Sequence, residues 1–573
     1  MNGKHRRFLA ELWSLTRPYW FGDEKWRARG LLAAVVALNL GLVYLDVVLS
    51  YWQNDFFNTL QNSNQPGFFA ELIRFCWLAA AYIVIAVYEL YLNQMLQIRW
   101  RQWLTDRYLV EWLGGRAYYR LQLVDRGTDN PDQRIAEDLA LFCERTLSLA
   151  IGLMSALITL ASFLAILWTL SGTLSVELFG HAVEIPGYMV WVALFYSLAG
   201  TLIAHWIGRP LIGLNFERQK VEADFRFSLV RFREHGEAVA LYGGEADELR
   251  QLRGRFAALA ANWWRIMLRT KQLTWFRAGY TQAAVVFPFL VAAPRFFAGK
   301  IQLGDLMQTS TAFGKVQSSL SWFIDAYTQI AQWKATVDRL TGFRAAIRAA
   351  AEAGGGIAVA SAPQAGFTTR GTRIDLPDGR ALIAPFDLAL APGERVLVGG
   401  PSGCGKSTLF RALAGIWPFG AGGVTWPADA RVLFLPQKPY LTVGTLREQL
   451  CYPSPPDRFD DAQLRAALTD CRLAAFTGRL DETEHWALLL SGGEQQRIAI
   501  ARALLQAPDW IFMDEATAAL DEATESALFT VLLERLPRTA IVSVGHRASL
   551  RSFHSRALAL EPAEGGARLR WAT

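Results

Sequence analysis

The residues in this sequence best equipped for chemistry lie in its last third. Arg395-Val396-Leu397-Val398-Gly399 reads as a buried strand. It runs into Gly400-Pro401-Ser402-Gly403-Cys404-Gly405-Lys406-Ser407-Thr408 and then a helical pattern from Leu409 to Ile416. Small residues there let successive backbone N–H groups wrap phosphate oxygens, and a helix start adds the positive end of its dipole. Strand, glycine-rich turn and helix start together form the setting that a nucleotide-phosphate loop requires. Lys406 is then expected to meet the β- and γ-phosphates of ATP, and Ser407 to ligate Mg²⁺. A second apolar strand, Trp510-Ile511-Phe512-Met513, ends in Asp514-Glu515. Alone, such a run is an ordinary strand end. Beside a phosphate loop it delivers Asp514 to the metal and Glu515 to polarise an attacking water.

Upstream of that acidic pair, Leu490-Ser491-Gly492-Gly493-Glu494-Gln495-Gln496-Arg497 is similar to the signature motif of ABC ATPases, and the resemblance extends over the C-terminal third of the chain. It implies further roles by position. Ser491, Gly492, Gly493 and Gln495 are expected at the nucleotide. Gln437, in Leu435-Pro436-Gln437-Lys438, resembles the glutamine that senses Mg²⁺ and contacts the membrane domain. Ala519-Leu520-Asp521 looks like the D-loop. His546, following the Val-rich run Ile541 to Val544, is similar to the switch histidine that contacts the γ-phosphate. The resemblance thus implies Glu515 and His546 as catalytic residues and Ser407, Gln437 and Asp514 as the Mg²⁺ set. Many members of the family stack adenine on an aromatic residue early in the domain. Here Ile374-Asp375-Leu376-Pro377 supplies none, leaving Leu376 as an apolar contact. In that family ATP is held between the phosphate loop of one domain and the signature of another. The chain has one copy of each, so it is expected to act as a dimer with a second identical chain; a heterodimer with a related chain is the other arrangement.

The elements that carry this motor must be sought in a chain of mixed character. Its 573 residues include 58 Lys+Arg against 52 Asp+Glu, charged residues make up only 19%, and the mean hydropathy is +0.16. A soluble domain carries roughly 25% charge, so these numbers argue against disorder and against a purely soluble enzyme. A chain that was all membrane helix would be more apolar than this, which points to one membrane part and one soluble part. The five cysteines form no CxxC pair and no metal-ligand spacing. Six segments approach the roughly 20 apolar residues that cross a bilayer: 30–50, 75–97, 146–176, 185–208, 278–299 and, more polar, 305–333. Lys and Arg crowd residues 1–29, 99–145 and 209–277, and are absent from 51–73 and 170–186. The positive-inside rule therefore puts the N-terminus, the second loop and the fourth loop in the cytoplasm, and a sixth crossing returns the ATPase there. The basic excess is explained by topology, with no nucleic-acid partner. The expected organisation is a six-helix transmembrane domain over 1–345 with an N-terminal cytoplasmic elbow, a linker over 346–356, and an α/β nucleotide-binding domain over 357–573. By resemblance the whole has a type IV ABC exporter-like fold.

The membrane part carries a resemblance of its own. Arg17-Pro18-Tyr19-Trp20, Asn54-Asp55-Phe56-Phe57-Asn58-Thr59-Leu60-Gln61 and Asn130-Pro131-Asp132-Gln133-Arg134-Ile135 are similar to the SbmA/BacA group of bacterial peptide-uptake proteins, and also resemble the subfamily D ABC transporters. This implies a multi-pass protein of the bacterial inner membrane that takes up peptides or other bulky hydrophilic solutes. A fatty-acyl or lipid cargo is the subfamily D alternative, and a regulatory ATPase without transport is the alternative of another class. Asn130, Pro131, Asp132, Gln133 and Arg134 in one cytoplasmic loop, with Glu237, Gly243 and Glu245 in the other, are expected to couple the membrane helices to the ATPase. Asn130-Pro131 also reads as a plain helix cap. Asp46, Glu89, His205, Lys315 and Asp325 interrupt the apolar segments. Of these, Asp325, Asp46 and Glu89 are the candidates for a hydrated substrate path.

Overall fold

The computed structural model describes residues 2–124, 130–178, 181–352 and 356–572. They fall into two compact units: Met1–Leu109 with Pro131–Phe343, and Val110–Asn130 with Arg344–Thr573. Neither unit is one continuous stretch of chain, because residues 110–124 and Asn130 group with the C-terminal portion.

The first unit is helical. A leading helix, Asn2–Phe21, is followed by Lys25–Gln61, Gln65–Leu113, Leu139–Ser171, Tyr188–Gly208 continuing as Pro210–Glu234, Glu245–Phe297 and Leu303–Glu352. Among the described residues, five helical spans are long and apolar enough to cross a membrane. The sixth long helix, Leu303–Glu352, has 50 residues but a more polar composition. The apolar segments at 146–176 and 185–208 do not coincide with helices throughout. The first helix stops at Ser171, where Gly172 adopts φ +62, and an antiparallel hairpin of Thr173–Leu178 with His181–Pro186 intervenes before Tyr188. Composition alone cannot separate a short apolar strand from the helix it adjoins. Arg295 closes the helix end by donating to the Leu170 carbonyl at 3.0 Å and to that of Ser171, satisfying orphan acceptors.

Two sequence motifs of this unit have clear packing roles. Tyr19, buried at the end of the leading helix, stacks on Trp100 at 5.7 Å, and Trp100 in turn meets Phe142 edge-on at 5.4 Å. The Asn54–Gln61 stretch clamps the start of the last long helix. Gln61 Oε1 accepts from Leu303 N at 2.5 Å, and Asn58 Oδ1 from Gly304 N at 2.9 Å. Asn54 Nδ2 donates to Asp305 and Gln308 at 2.9 and 2.7 Å, and Gln53 accepts from Thr311 at 2.7 Å. Farther along the seam, Lys315 Nζ lies 2.6 Å from Asp46 Oδ2. Asp305, Thr311 and Lys315 of the last helix thus find partners on the first membrane helix, which is what keeping polar groups at membrane depth requires.

The second unit is α/β. Its main sheet runs in the order Arg568–Trp571, Arg556–Glu561, Arg395–Gly399, Ala540–Val544, Trp510–Asp514, Val432–Leu435, parallel except for the antiparallel first strand. A second sheet orders Ala358–Ala362, Gly420–Pro427, Phe367–Asp375 and Ala381–Phe386. One core lies around Phe512, which is fully buried and stacks on Phe434 at 4.8 Å with Phe410 edge-on at 5.3 Å. The other lies around Trp486 and the helix Gly492–Gln506. Register aligns the ends of the central strands: Met513 pairs with Leu435, Asp514 with Val544, and Val398 with Val544. The residues just past each strand therefore emerge together at one edge.

Candidate functional site

The phosphate loop leaves the strand Arg395–Gly399 with glycines at positive φ: Gly400 at 148, Gly403 at 81 and Gly405 at 103. A side chain at Gly400 would meet the Leu560 carbonyl at 2.6 Å, whereas one at Gly403 would meet nothing within 4 Å. The first glycine closes the loop onto the neighbouring strand and the second keeps its face open. The eight-residue helix Lys406–Leu413 follows. Lys406, mostly buried, donates to the carbonyls of Gly400 and Pro401 at 2.8 and 2.9 Å. Ser407 Oγ donates to Asp514 Oδ1 at 3.0 Å. Burial pushes the Asp514 carboxyl above its ordinary range; the Ser407 hydrogen bond opposes this, and the neighbouring Glu515 charge adds to it. A hydroxyl and a carboxylate side by side are hard oxygen donors, the set a Mg²⁺ ion takes. A glycine-lined loop feeding a helix start suits the phosphates of ATP.

Glu515 follows at φ +49, a conformation uncommon for a residue with a side chain. Its amide donates to the Val544 carbonyl at 3.2 Å, which binds the turn to the adjacent strand. Its carboxylate has two neighbours: Gln437 Nε2 donates to Oε2 at 2.9 Å, and His546 Nε2 lies 3.2 Å from Oε1. Gln437, Glu515 and His546, from three adjacent strand ends, therefore meet at one carboxylate. The aligned register makes this possible.

Ser491 caps the helix Gly492–Gln506, with Glu494 completing a reciprocal capping box. Its first turn thus presents a helix N-terminus through Gly492 and Gly493. Gln495 turns away and donates to the carbonyls of Ala487 and Leu490, both at 2.9 Å. Its neighbour Gln496 is buried. It donates to the Gln437 carbonyl at 3.2 Å and accepts from Ala519 N at 2.9 Å. Sequence reasoning missed this residue, because the helical turn between adjacent positions separates their directions and only the backbone shows which one faces the loops. Asp521 caps Glu522–Arg535 by accepting from Thr524 N at 2.8 Å, and the amides around it hold its carboxyl below the usual range.

Of the residues expected to couple the units, Asn130 precedes a short helical stretch that starts at Pro131, in which Gln133 bonds Glu137 and Arg134 pairs with Asp138 at 2.7 Å. Asp132 lies in the first helical turn there. Glu237 is in the first turn of Gly236–Tyr242, Gly243 ends it at φ +62, and Glu245 begins the next helix. In the second unit, residues 110–124 are fixed by a two-pronged Arg344–Glu111 pair at 2.8 and 2.6 Å and by Arg116 donating to the Ala414 carbonyl at 2.8 Å. Asp46 is held by Lys315, Glu89 lies within Gln65–Leu113, and the side chain of Asp325 lies outside the described residues.

Residues 15–297 match the family described as ABC transporter transmembrane region 2, and residues 383–518 match the ABC transporter family. The chain is 34% identical to the inner membrane ABC transporter ATP-binding protein YddA of Escherichia coli, covering 95% of this chain and 96% of that protein. It is 32% identical to the chloroplastic ABC transporter D family member 2 of Arabidopsis thaliana over 97% of this chain and 87% of the relative. It is 28% identical to the human lysosomal cobalamin transporter ABCD4 over 93% and 92%. The solved structure of a bacterial Atm1-family ABC exporter with ATP bound superposes with a TM-score of 0.71 at 19% identity, covering 94% of each chain, which establishes the type IV-like exporter fold.

Proposed function

Because the chain belongs to the ABC transporters of the D-family type, ATP-hydrolysing multi-pass membrane proteins, we propose that two copies form its working unit. The ATPase domains face the cytoplasm of a bacterial cell whose inner membrane holds the helices. Each ATP lies between Lys406 and the phosphate loop (Gly400, Pro401, Ser402, Gly403, Cys404, Gly405, Ser407, Thr408) of one copy and Ser491, Gly492 and Gly493 of the other. Ser407, Asp514 and Gln437 would hold Mg²⁺, whose charge offsets that of the phosphate oxygens. Glu515 takes a proton from water as the water oxygen attacks the γ-phosphorus. The bond to the bridging oxygen breaks, leaving ADP and phosphate, while His546 steadies the γ-phosphate. The observation that carries this reading is the convergence of Gln437 and His546 on the Glu515 carboxylate at 2.9 and 3.2 Å. Glu515→Gln is expected to lower ATP turnover by about two to four powers of ten while retaining ATP binding. Undiminished turnover overturns the assignment.

The turns at Asn130–Arg134 and Glu237–Glu245 act as coupling elements. In the second of these, Leu241 and Tyr242 are 80% and 89% exposed, the kind of apolar surface that another protein surface covers. The proposed cargo is a peptide or another bulky hydrophilic solute, moved inward. The polar last helix and the cobalamin named for the ABCD4 relative support a hydrophilic cargo. One observation favours a lipid or acyl chain instead: a cavity of about 490 Å³ lined by Leu40, Val43, Val47, Ile158 and Ile166. Uptake of labelled peptide and labelled acyl chain into vesicles of known orientation separates the two. Movement of the acyl chain alone overturns the peptide reading.

A further inference from the structure

A half-buried ion pair next to the site plays no part in the chemistry above. Glu525, on the helix Glu522–Arg535, is 1% exposed. Its carboxylate accepts from Thr517 Oγ1 at 2.5 Å and has Arg547 Nη1 and Ser549 Oγ at 3.4 Å. Arg547 also donates to the Ala518 carbonyl at 3.2 Å. Thr517 and Ala518 belong to the turn that begins at Glu515, and Arg547 directly follows His546. One carboxylate therefore grips the turn bearing Glu515 and the segment bearing His546. A carboxylate this deeply buried persists only when paired and hydrogen-bonded. A residue at positive φ such as Glu515 persists only when its surroundings hold it there.

We infer that Glu525 is a positioning residue for ATP hydrolysis: acting through Arg547, it holds His546 against the Glu515 carboxylate. Glu525 makes and breaks no bond in the reaction. The inference rests on the proposed roles of Glu515 and His546, so its test must separate the two.

Steady-state Mg·ATP hydrolysis is measured on the full-length protein in liposomes for Glu525→Gln, His546→Ala and the double variant. Glutamine keeps the size of Glu525 and an acceptor for Thr517 while removing the charge that faces Arg547. Glu525→Gln is expected to lower kcat about tenfold with KM for ATP changed by less than about twofold. In the His546→Ala background it should lower kcat no further, because the residue acts through His546. An equal fold-loss in both backgrounds, or a rise in KM at constant kcat, overturns the inference while leaving His546 in its role. Parental turnover in His546→Ala itself overturns that role and the inference with it. Should Glu525→Gln lose its cooperative melt, Arg547→Lys carries the same prediction, since it keeps a cation facing the buried Glu525 carboxylate but gives up the fork that reaches both Glu525 and the Ala518 carbonyl.

Discussion

Polar side chains are arranged differently in the two halves of this molecule. In the motor they converge. The Glu515 carboxylate takes two neighbours from two other strands, Gln496 serves two loops, and Asp514 is tied to the phosphate loop. In the membrane unit most of them pair off along a seam between the first and last long membrane helices, Asp46 with Lys315, Gln53 with Thr311 and Gln61 with Leu303, whereas Asn54 is shared among Asn58, Asp305 and Gln308. Converging groups share partners, so each depends on the others. Groups that pair off, such as Asp46 with Lys315, have partners of their own, and a change at one should stop there. A site that must respond to ATP needs the first arrangement, and helices that must keep polar groups satisfied within a membrane need the second.

The largest effects should come from breaking the convergence. Asp514→Asn is expected to lower kcat by about a thousandfold, removing the carboxylate that faces Ser407. Gln437→Ala and His546→Ala should each cost about ten- to a hundredfold, and the double variant much less than the product, because both act on one carboxylate. A multiplicative double variant would mean that the two neighbours work independently and that the convergence is geometric only.

In the seam the expected effects are on stability and are smaller. Asp46→Ala leaves the Lys315 ammonium without its counter-charge. Both side chains are a quarter to a third exposed, so the cost is about 1–2 kcal/mol, below that of a fully buried pair. Exchanging the charges, Asp46→Lys with Lys315→Asp, should recover most of the lost Tm. Asn58→Leu gives up its bonds to Asn54 and Gly304 at about 1 kcal/mol for each group left unmatched. Asn58 and Asp46 lie about 18 Å apart along one helix. Their losses should therefore add, and a coupled double variant would show the seam to be a single cooperative unit.

The same contrast decides what could be read from sequence. In the motor, residues 400–408, 490–497 and 514–515 are contiguous, and the parallel sheet brings the ends of their strands to one edge, so spacing alone announced the chemistry. The seam joins residues separated by 242 to 269 positions, and a lone Asp or Asn in an apolar run does not say which helix will satisfy it. Lys315 and Asp46 therefore read as separate intrusions, although they are partners. Residues 110–124 were legible only as a basic loop. Their place in the second unit depends on Arg344 meeting Glu111 and on Leu123 packing beside the sheet core, contacts that no motif records. The hairpin at 173–186 was hidden because its apolar residues continue the pattern of the helices on either side. Glu525 gave no signal either, since a glutamate in the first turn of a helix is ordinary until its burial is known.

His554 sharpens the comparison from inside the motor, because it is polar, half-buried and paired in the manner of the seam. Its Nδ1 lies 2.8 Å from the Leu550 carbonyl and its Nε2 3.0 Å from Ser543 Oγ. A neutral ring protonated on Nδ1 donates to the first and accepts from the second, so neither nitrogen needs a further proton. Burial holds the ring's pKa below the ordinary 6.5, although the Leu550 bond opposes the shift. On acidification the unfolded chain takes up this proton near pH 6.5, while the folded chain takes it up only at lower pH. The unfolded state then binds more protons, so the contribution of His554 to stability is complete above about pH 6.5 and declines as pH falls from there toward the folded pKa. The Tm of the full-length protein should accordingly fall between about pH 7.5 and 5.5 more steeply than that of His554→Gln, which titrates nowhere in this range. Because His554 has its own partners and shares none with Glu515, the substitution should leave kcat at neutral pH unchanged. A parent slope no steeper than the variant's would mean that the folded ring accepts the proton. A fall in kcat would place His554 within the converging network after all.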